Sequence, residues 1–106
     1  MFIAYEVSKQ LIPVLRPIAA KIERSDRDLA DQLRRAATSV ALNLSEGSQS
    51  LKGNKNKHYS IAHGSAAEVR AALEIAVAWG WIDESAEALR LLDRLMRLLW
   101  GLTHPK

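Results

Sequence analysis

The stretch that decides the fold runs from residue 32 to residue 47 and reads QLRRAATSVALNLSEG. Its apolar side chains recur every three or four residues, which is the spacing of one face of an α-helix. A second stripe lies beside that face, within an arc of about 60° on a helical wheel. It consists of Gln32, Ser39, Asn43 and Glu46. The stretch therefore predicts a helix with a buried apolar face and a polar border.

The segment before this helix, at about residues 2–23, is apolar with helical spacing but contains Pro13 and Pro17. Each proline lacks a backbone N–H donor and crowds the preceding turn of a helix. We therefore expect a kinked helix, or one that starts later than Phe2.

The helix that contains the quoted stretch has recognisable ends. Ser25 or Asp26 precedes it and can accept a hydrogen bond from its first turn. Gly47 is expected at its C′ position, where glycine is favoured. A polar linker at residues 48–57 is expected to follow.

Two more helices complete the prediction. The third covers about residues 56–81, and the fourth follows Asp83 as its N-cap and runs to about Leu102. The short turn between them favours antiparallel neighbours. The chain of 106 residues suits a single domain, 1–106. The predicted fold is all-α, an antiparallel up-down four-helix bundle.

The fourth segment has a wide apolar arc of about 200° on a helical wheel. A helix that faces one core shows a stripe of about 100°, so the excess favours self-association. The remaining face carries Arg90, Arg94 and Arg97, and Asp93 is expected to neutralise it in part. On the third segment, Glu68 falls inside an apolar arc. Its carboxylate is expected either to have a buried partner or to reach water from the edge of the arc.

Two motifs in the chain resemble those of a known protein family. The first consists of Gln32, Arg35, Ser39, Val40, Asn43, Leu44, Glu46 and Gly47. The second, after the linker, consists of Ala62, Gly64, Ser65 and Glu68. In order and spacing they resemble the four-helix-bundle family of proteins encoded in intervening sequences of bacterial 23S ribosomal RNA genes. The accessory proteins of diversity-generating retroelements are related to that family.

The resemblance implies an assembly and a set of partners. It implies a four-helix bundle that forms a ring, often a homopentamer. In the retroelement branch, a basic surface binds nucleic acid and the protein partner is a reverse transcriptase. It also implies a structural polar motif that fixes helix register or a subunit contact. That motif consists of Gln32, Ser39, Asn43, Glu46, Gly47, Gly64, Ser65 and Glu68.

No enzyme site is expected from the sequence. Glu68 lacks the Glu-x-x-His spacing of di-metal bundles, and His58 and His63 are not spaced to share one helix face. The sequence has no Gly-rich phosphate loop and no nucleophile motif. We therefore predict no catalytic residue, no metal site and no cofactor. The chain has no cysteine and no long apolar run, so a cytoplasmic location without a membrane segment is expected.

Two functions remain open at this point. The formal net charge is +3, and clustered basic side chains favour binding of RNA or of a duplex through phosphate contacts. The candidate residues are Arg34, Arg35, Lys52, Lys55, Lys57, Arg90, Arg94 and Arg97, with His58 beside the lysines. The alternative is an oligomeric scaffold for a protein partner without nucleic-acid binding. Exposure of Trp79, Trp81 or Trp100 would support that alternative, although core or subunit contacts are expected for them.

Overall fold

Four α-helices account for most of residues 2–105, the part of the chain that this computed structural model describes. They are α1 (Ile3–Glu23), α2 (Arg27–Ser48), α3 (Lys52–Ala78) and α4 (Ala86–Thr103). No β-strand occurs within residues 2–105, so the predicted all-α class and the number of helices are confirmed. Within the same residues, none of the helices combines the length and apolar character that crossing a membrane would require.

The helices surround one apolar core. α2 contacts α1 and α3, and α4 contacts α3 and α1, so each helix has two neighbours. The largest fully buried side chains include Leu11, Ile22, Leu33, Leu44, Val69, Leu92, Leu95 and Leu99. α2 and α3 contribute several buried alanines, among them Ala36, Ala37, Ala62 and Ala66. Small side chains at a helix contact allow the two backbones to approach closely.

α1 begins at Ile3, one residue after Phe2, and continues through both prolines to Glu23. Pro13 and Pro17 are exposed. The carbonyls that lose an N–H donor are those of Lys9 and Pro13, on the exposed side of the helix, where water can bond to them. The helix therefore tolerates both prolines because its core side is not interrupted.

The start of α2 is capped by Asp26, one of the two predicted residues. Its Oδ1 accepts a hydrogen bond from the backbone N–H of Leu29 at 2.9 Å. The predicted end of α2 is wrong, because the helix continues through Gly47 to Ser48. The reason for a glycine at this position is a contact with α3, described below.

α3 is longer at its start and shorter at its end than predicted. It begins at Lys52, so most of the predicted linker at residues 48–57 is helical. The side chains of this first part are largely exposed, so no apolar face is required and the sequence reads as a polar loop. α3 ends at Ala78, and Gly80 follows with a φ of 79°, in the left-handed region that glycine favours.

α4 has a different N-cap from the predicted one. Its cap is Ser85, whose Oγ accepts a hydrogen bond from the backbone N–H of Ala88 at 3.2 Å. The predicted Asp83 cap is therefore wrong. Both residue types favour this position, and the two lie close together, so sequence preference alone does not separate them.

The wide apolar arc of α4 is largely covered within the chain. Leu91, Leu92, Leu95 and Leu99 are buried, while Leu89, Met96, Leu98 and Leu102 are half-buried. The exception on this arc is Trp100, which is 58% exposed. The larger uncovered apolar surface lies on α3. Ile61 and Ile75 of α3 are 41% and 45% exposed, and Trp79, which directly follows this helix, is 68% exposed.

Candidate functional site

A chain of hydrogen bonds joins α2 to α3 along one groove. The Oγ atoms of Ser39 and Ser65 are 2.8 Å apart, and either can donate. Asn43 Nδ2 donates to the carbonyl and to the Oγ of Ser39, at 2.9 and 3.2 Å. His58 Nδ1 lies 2.9 Å from Asn43 Oδ1, and its Nε2 lies 3.6 Å from Glu46 Oε2. Because an amide oxygen only accepts, His58 donates from Nδ1 in this arrangement.

The polar groups in this groove satisfy one another. Within residues 2–105, no buried side-chain nitrogen or oxygen lacks a hydrogen-bond partner. Ser65, which is buried, forms a hydrogen bond with a half-buried Ser39. A satisfied network between two helices stabilises one relative register over the alternatives. The contacts therefore suit a structural element better than a site that is waiting for a ligand.

Gly47 lies at a close contact between α2 and α3. A Cβ atom at this position would lie 2.6 Å from Tyr59 Cε1, 2.9 Å from Tyr59 Cδ1 and 3.2 Å from His58 Cβ. The Tyr59 ring is buried and lies 5.9 Å, centroid to centroid, from the ring of Phe2. Burial also raises the pKa of Tyr59. The glycine therefore serves close packing against an aromatic anchor, not a left-handed helix end.

Four members of the predicted polar motif lie outside this network, and Gly47, described above, is one of them. Gln32 and Glu68 are exposed, and neither has a side-chain hydrogen bond or an ion pair within residues 2–105. Both face a shallow depression that Arg35 also lines. Gly64 is exposed, and a Cβ there would meet open space. The exposure of Glu68 agrees with the expectation that it reaches water from the edge of the arc, and no buried partner for it lies within residues 2–105.

The arginine strip, defined as Arg90, Arg94 and Arg97, lies on the exposed side of α4. None of the three forms an ion pair with another residue of the range 2–105. Asp93 is paired with Arg70 on α3. The expected neutralisation of the strip by Asp93 is therefore reduced, because that carboxylate already has a partner on the neighbouring helix.

The other predicted basic residues are placed differently. Arg34 bonds to Glu23 at 2.6 Å and to Asp31 at 3.3 Å. The hydrogen bond to Glu23 is the main cause of the raised pKa of Arg34. Arg35 is exposed at the groove between α2 and α3. Lys52 and Lys57 are exposed and Lys55 is half-buried, all in the first two turns of α3.

Sequence reasoning missed His58 as a partner of the network. The sequence prediction assigns His58 to the basic cluster of the neighbouring lysines, whereas in the structure His58 forms a hydrogen bond with Asn43. The signal that could have found it is its spacing, because His58 precedes Ser65 by two helical turns and shares its face. Within residues 2–105, no group of three or more His, Cys, Asp and Glu side chains is arranged to hold a metal ion.

Comparisons with known proteins give one match. No curated protein and no solved structure matches the chain significantly. The family model described as 23S rRNA-intervening sequence protein matches residues 3–101, which include all of α1, α2 and α3 and most of α4. The chain therefore belongs to the 23S rRNA-intervening sequence protein family.

Proposed function

We propose that this protein is a non-enzymatic, self-associating helical bundle that binds nucleic acid through the arginine strip. The observation that carries the proposal is the pairing of Asp93 with Arg70, which leaves three arginines on one exposed helix face without an acidic partner within residues 2–105. Unpaired guanidinium groups can contact phosphates directly, and their binding displaces condensed counterions from the nucleic acid. Such contacts are tolerant of sequence, and both RNA helices and DNA duplexes offer them.

The proposed arrangement of the helices is up-down and antiparallel. Gly47, near the end of α2, meets Tyr59, near the start of α3. Farther from that connection, Ser39 meets Ser65. The end of α3 and the start of α4 also lie side by side next to their connection, because Leu73 and Val77 of α3 line the same cavity as Ala88 and Leu89 of α4. Short connections of this kind join antiparallel neighbours.

Self-association is supported by an exposed seam on α3. The seam consists of Ile61, Gly64, Glu68, Ala71, Ile75 and Ala78, all exposed and spaced three or four residues apart. This spacing is that of a helix face that packs against a partner helix. Small residues alternate with larger ones along it, which allows a second helix to approach. A second copy of the chain is the proposed partner, and a ring of five is what the family resemblance implies.

An oligomeric scaffold for a protein partner, such as a reverse transcriptase, is the second candidate function. One observation favours it: Trp79 is 68% exposed and Trp100 is 58% exposed. Exposed tryptophans are frequent anchors of protein interfaces. Under this alternative the arginine strip is a solvated face, and a cytoplasmic location is proposed in both cases.

The experiment that separates the two functions is a titration of labelled structured RNA and of duplex DNA with the purified protein. The test variant replaces Arg90, Arg94 and Arg97 with glutamine. The control variant replaces Arg16 and Lys21, which are exposed on α1, and Arg24, which is exposed just after its end, and makes the same change in net charge. We expect binding that the test variant loses and the control variant retains. Equal loss in both variants, or no binding by the wild type at about 50 mM salt, would contradict the proposed role of the strip.

A further inference from the structure

An apolar cavity opens at the connection between α3 and α4. Its volume is about 360 Å³, which lies within the range of sites that accommodate an organic group. The apolar lining includes Ile18 of α1, Leu73 and Val77 of α3, and Ile82, Ala88 and Leu89. The cavity is therefore lined by side chains from three helices and from the connection between α3 and α4.

The rim of this cavity is acidic. Glu74, Asp83 and Glu84 line it, and all three are exposed. None of them is in an ion pair within the part of the chain that the structure describes. An apolar site with free carboxylates at its edge selects an apolar group that has positive charge beside it.

The chain itself carries a group with that chemistry. Leu51 is 85% exposed, more than any of the other exposed large apolar residues. It is followed by Lys52 and Lys55, and neither lysine forms an ion pair within residues 2–105. A single exposed leucine is ordinary on a protein surface, but its side chain gains free energy when a second surface covers it.

Leu51 cannot reach the cavity of its own chain. Leu51 precedes the first residue of α3, whereas the cavity lies at the last turns of the same helix. A helix of 27 residues spans about 40 Å at 1.5 Å per residue. A contact between the two surfaces therefore requires two copies of the chain.

We propose that the cavity between α3 and α4 receives Leu51 of a second copy, with Lys52 and Lys55 of that copy against Glu74, Asp83 and Glu84. The inference rests on the self-association in the proposed function and assigns it one contact. The two surfaces of the contact are different, so every copy offers one of each. Such a contact either repeats head-to-tail from copy to copy, closing into a ring or extending as a chain, or is made twice within a two-fold dimer.

The test measures self-association by analytical ultracentrifugation over a range of protein concentrations. Leu51→Ala and Glu84→Lys should each weaken association about tenfold, because the first removes the buried side chain and the second reverses the charge of the rim. Lys52→Glu should have a similar effect. Combining Lys52→Glu with Glu84→Lys should restore much of the association, because the pair is then complementary again.

Control variants separate this contact from the seam on α3. Ile12→Ala changes an exposed apolar residue on α1 and should leave association unchanged. Circular dichroism checks that each variant remains helical. If association is unaffected by Leu51→Ala and by both charge reversals but is lost in Ile75→Asp, self-association holds and the cavity contact is refuted. Failure of the combined charge variant to associate better than either single charge variant would also refute the contact.

Discussion

Gly47→Ala tests the reason that α2 carries a glycine in its last turn. Helix propensity alone predicts that the change stabilises the fold by about 1 kcal/mol. The structure opposes this gain, because the new Cβ would lie 2.6 Å from Tyr59 Cε1 and 3.2 Å from His58 Cβ. The Tyr59 ring is buried against Phe2, so it cannot move away freely. Overpacking of this kind costs about 1–3 kcal/mol.

The matched control is Gly64→Ala on α3. Gly64 is also inside a helix, but a Cβ there meets open space within one copy, so in the dissociated chain only the gain in helix propensity applies. We expect Gly47→Ala to be less stable than Gly64→Ala by about 1–3 kcal/mol. Urea unfolding followed by circular dichroism at one fixed protein concentration measures the difference. Gly101→Ala, which is exposed and meets no neighbour either, serves as a second control outside the seam. If Gly47→Ala stabilises as much as these controls, the close approach at Tyr59 is refuted.

Two further predictions concern the groove between α2 and α3. Asn43→Ala removes the side chain that links Ser39 to His58 and should lower the free energy of unfolding by about 1–2 kcal/mol. Glu68→Ala, at a position that is exposed and unpaired within residues 2–105 of one copy, should change the free energy of unfolding of the dissociated chain by less than about 0.5 kcal/mol; a larger loss in the dissociated chain would show that the carboxylate has a structural partner within the chain. Burial raises the pKa of Tyr59, so the stability from its neutral form is complete below about pH 10 and is lost as the pH rises through the raised pKa. Tyr59→Phe should therefore lose less stability than the wild type between about pH 9 and pH 11, and parallel pH profiles would refute that explanation.

The sequence predicts the helices better than it predicts their ends. The Asp26 cap follows from local chemistry, because its side chain satisfies a donor in the next turn. The start of α3 does not follow from local chemistry, because the first turns of this helix are largely exposed and their sequence shows no apolar periodicity. The role of Gly47 is also invisible to local rules. It depends on a tyrosine that another helix brings alongside.

In the candidate site, too, the sequence predicts what lies within one helix better than what lies between two helices. The polar stripe of α2 indicates that Ser39 and Asn43 share one face, and the structure joins them to Ser65 and His58. Glu68 lies at the border of the apolar arc of α3. A helical wheel places a side chain only to within a few tens of degrees, so it cannot decide on which side of that border Glu68 lies. The pairing of Asp93 with Arg70 depends on the register between α3 and α4, which no periodicity within one helix can give.

The salt dependence of nucleic-acid binding tests the central claim most directly. On duplex DNA, each phosphate contact contributes about −0.9 to the slope of log K against log salt. Loss of Arg90, Arg94 and Arg97 together should therefore make the slope shallower by about 2–3 units. The matched variant of Arg16, Lys21 and Arg24 should keep the wild-type slope. Equal slopes for the wild type and the strip variant would contradict the account, because they would show that these arginines do not contact phosphate.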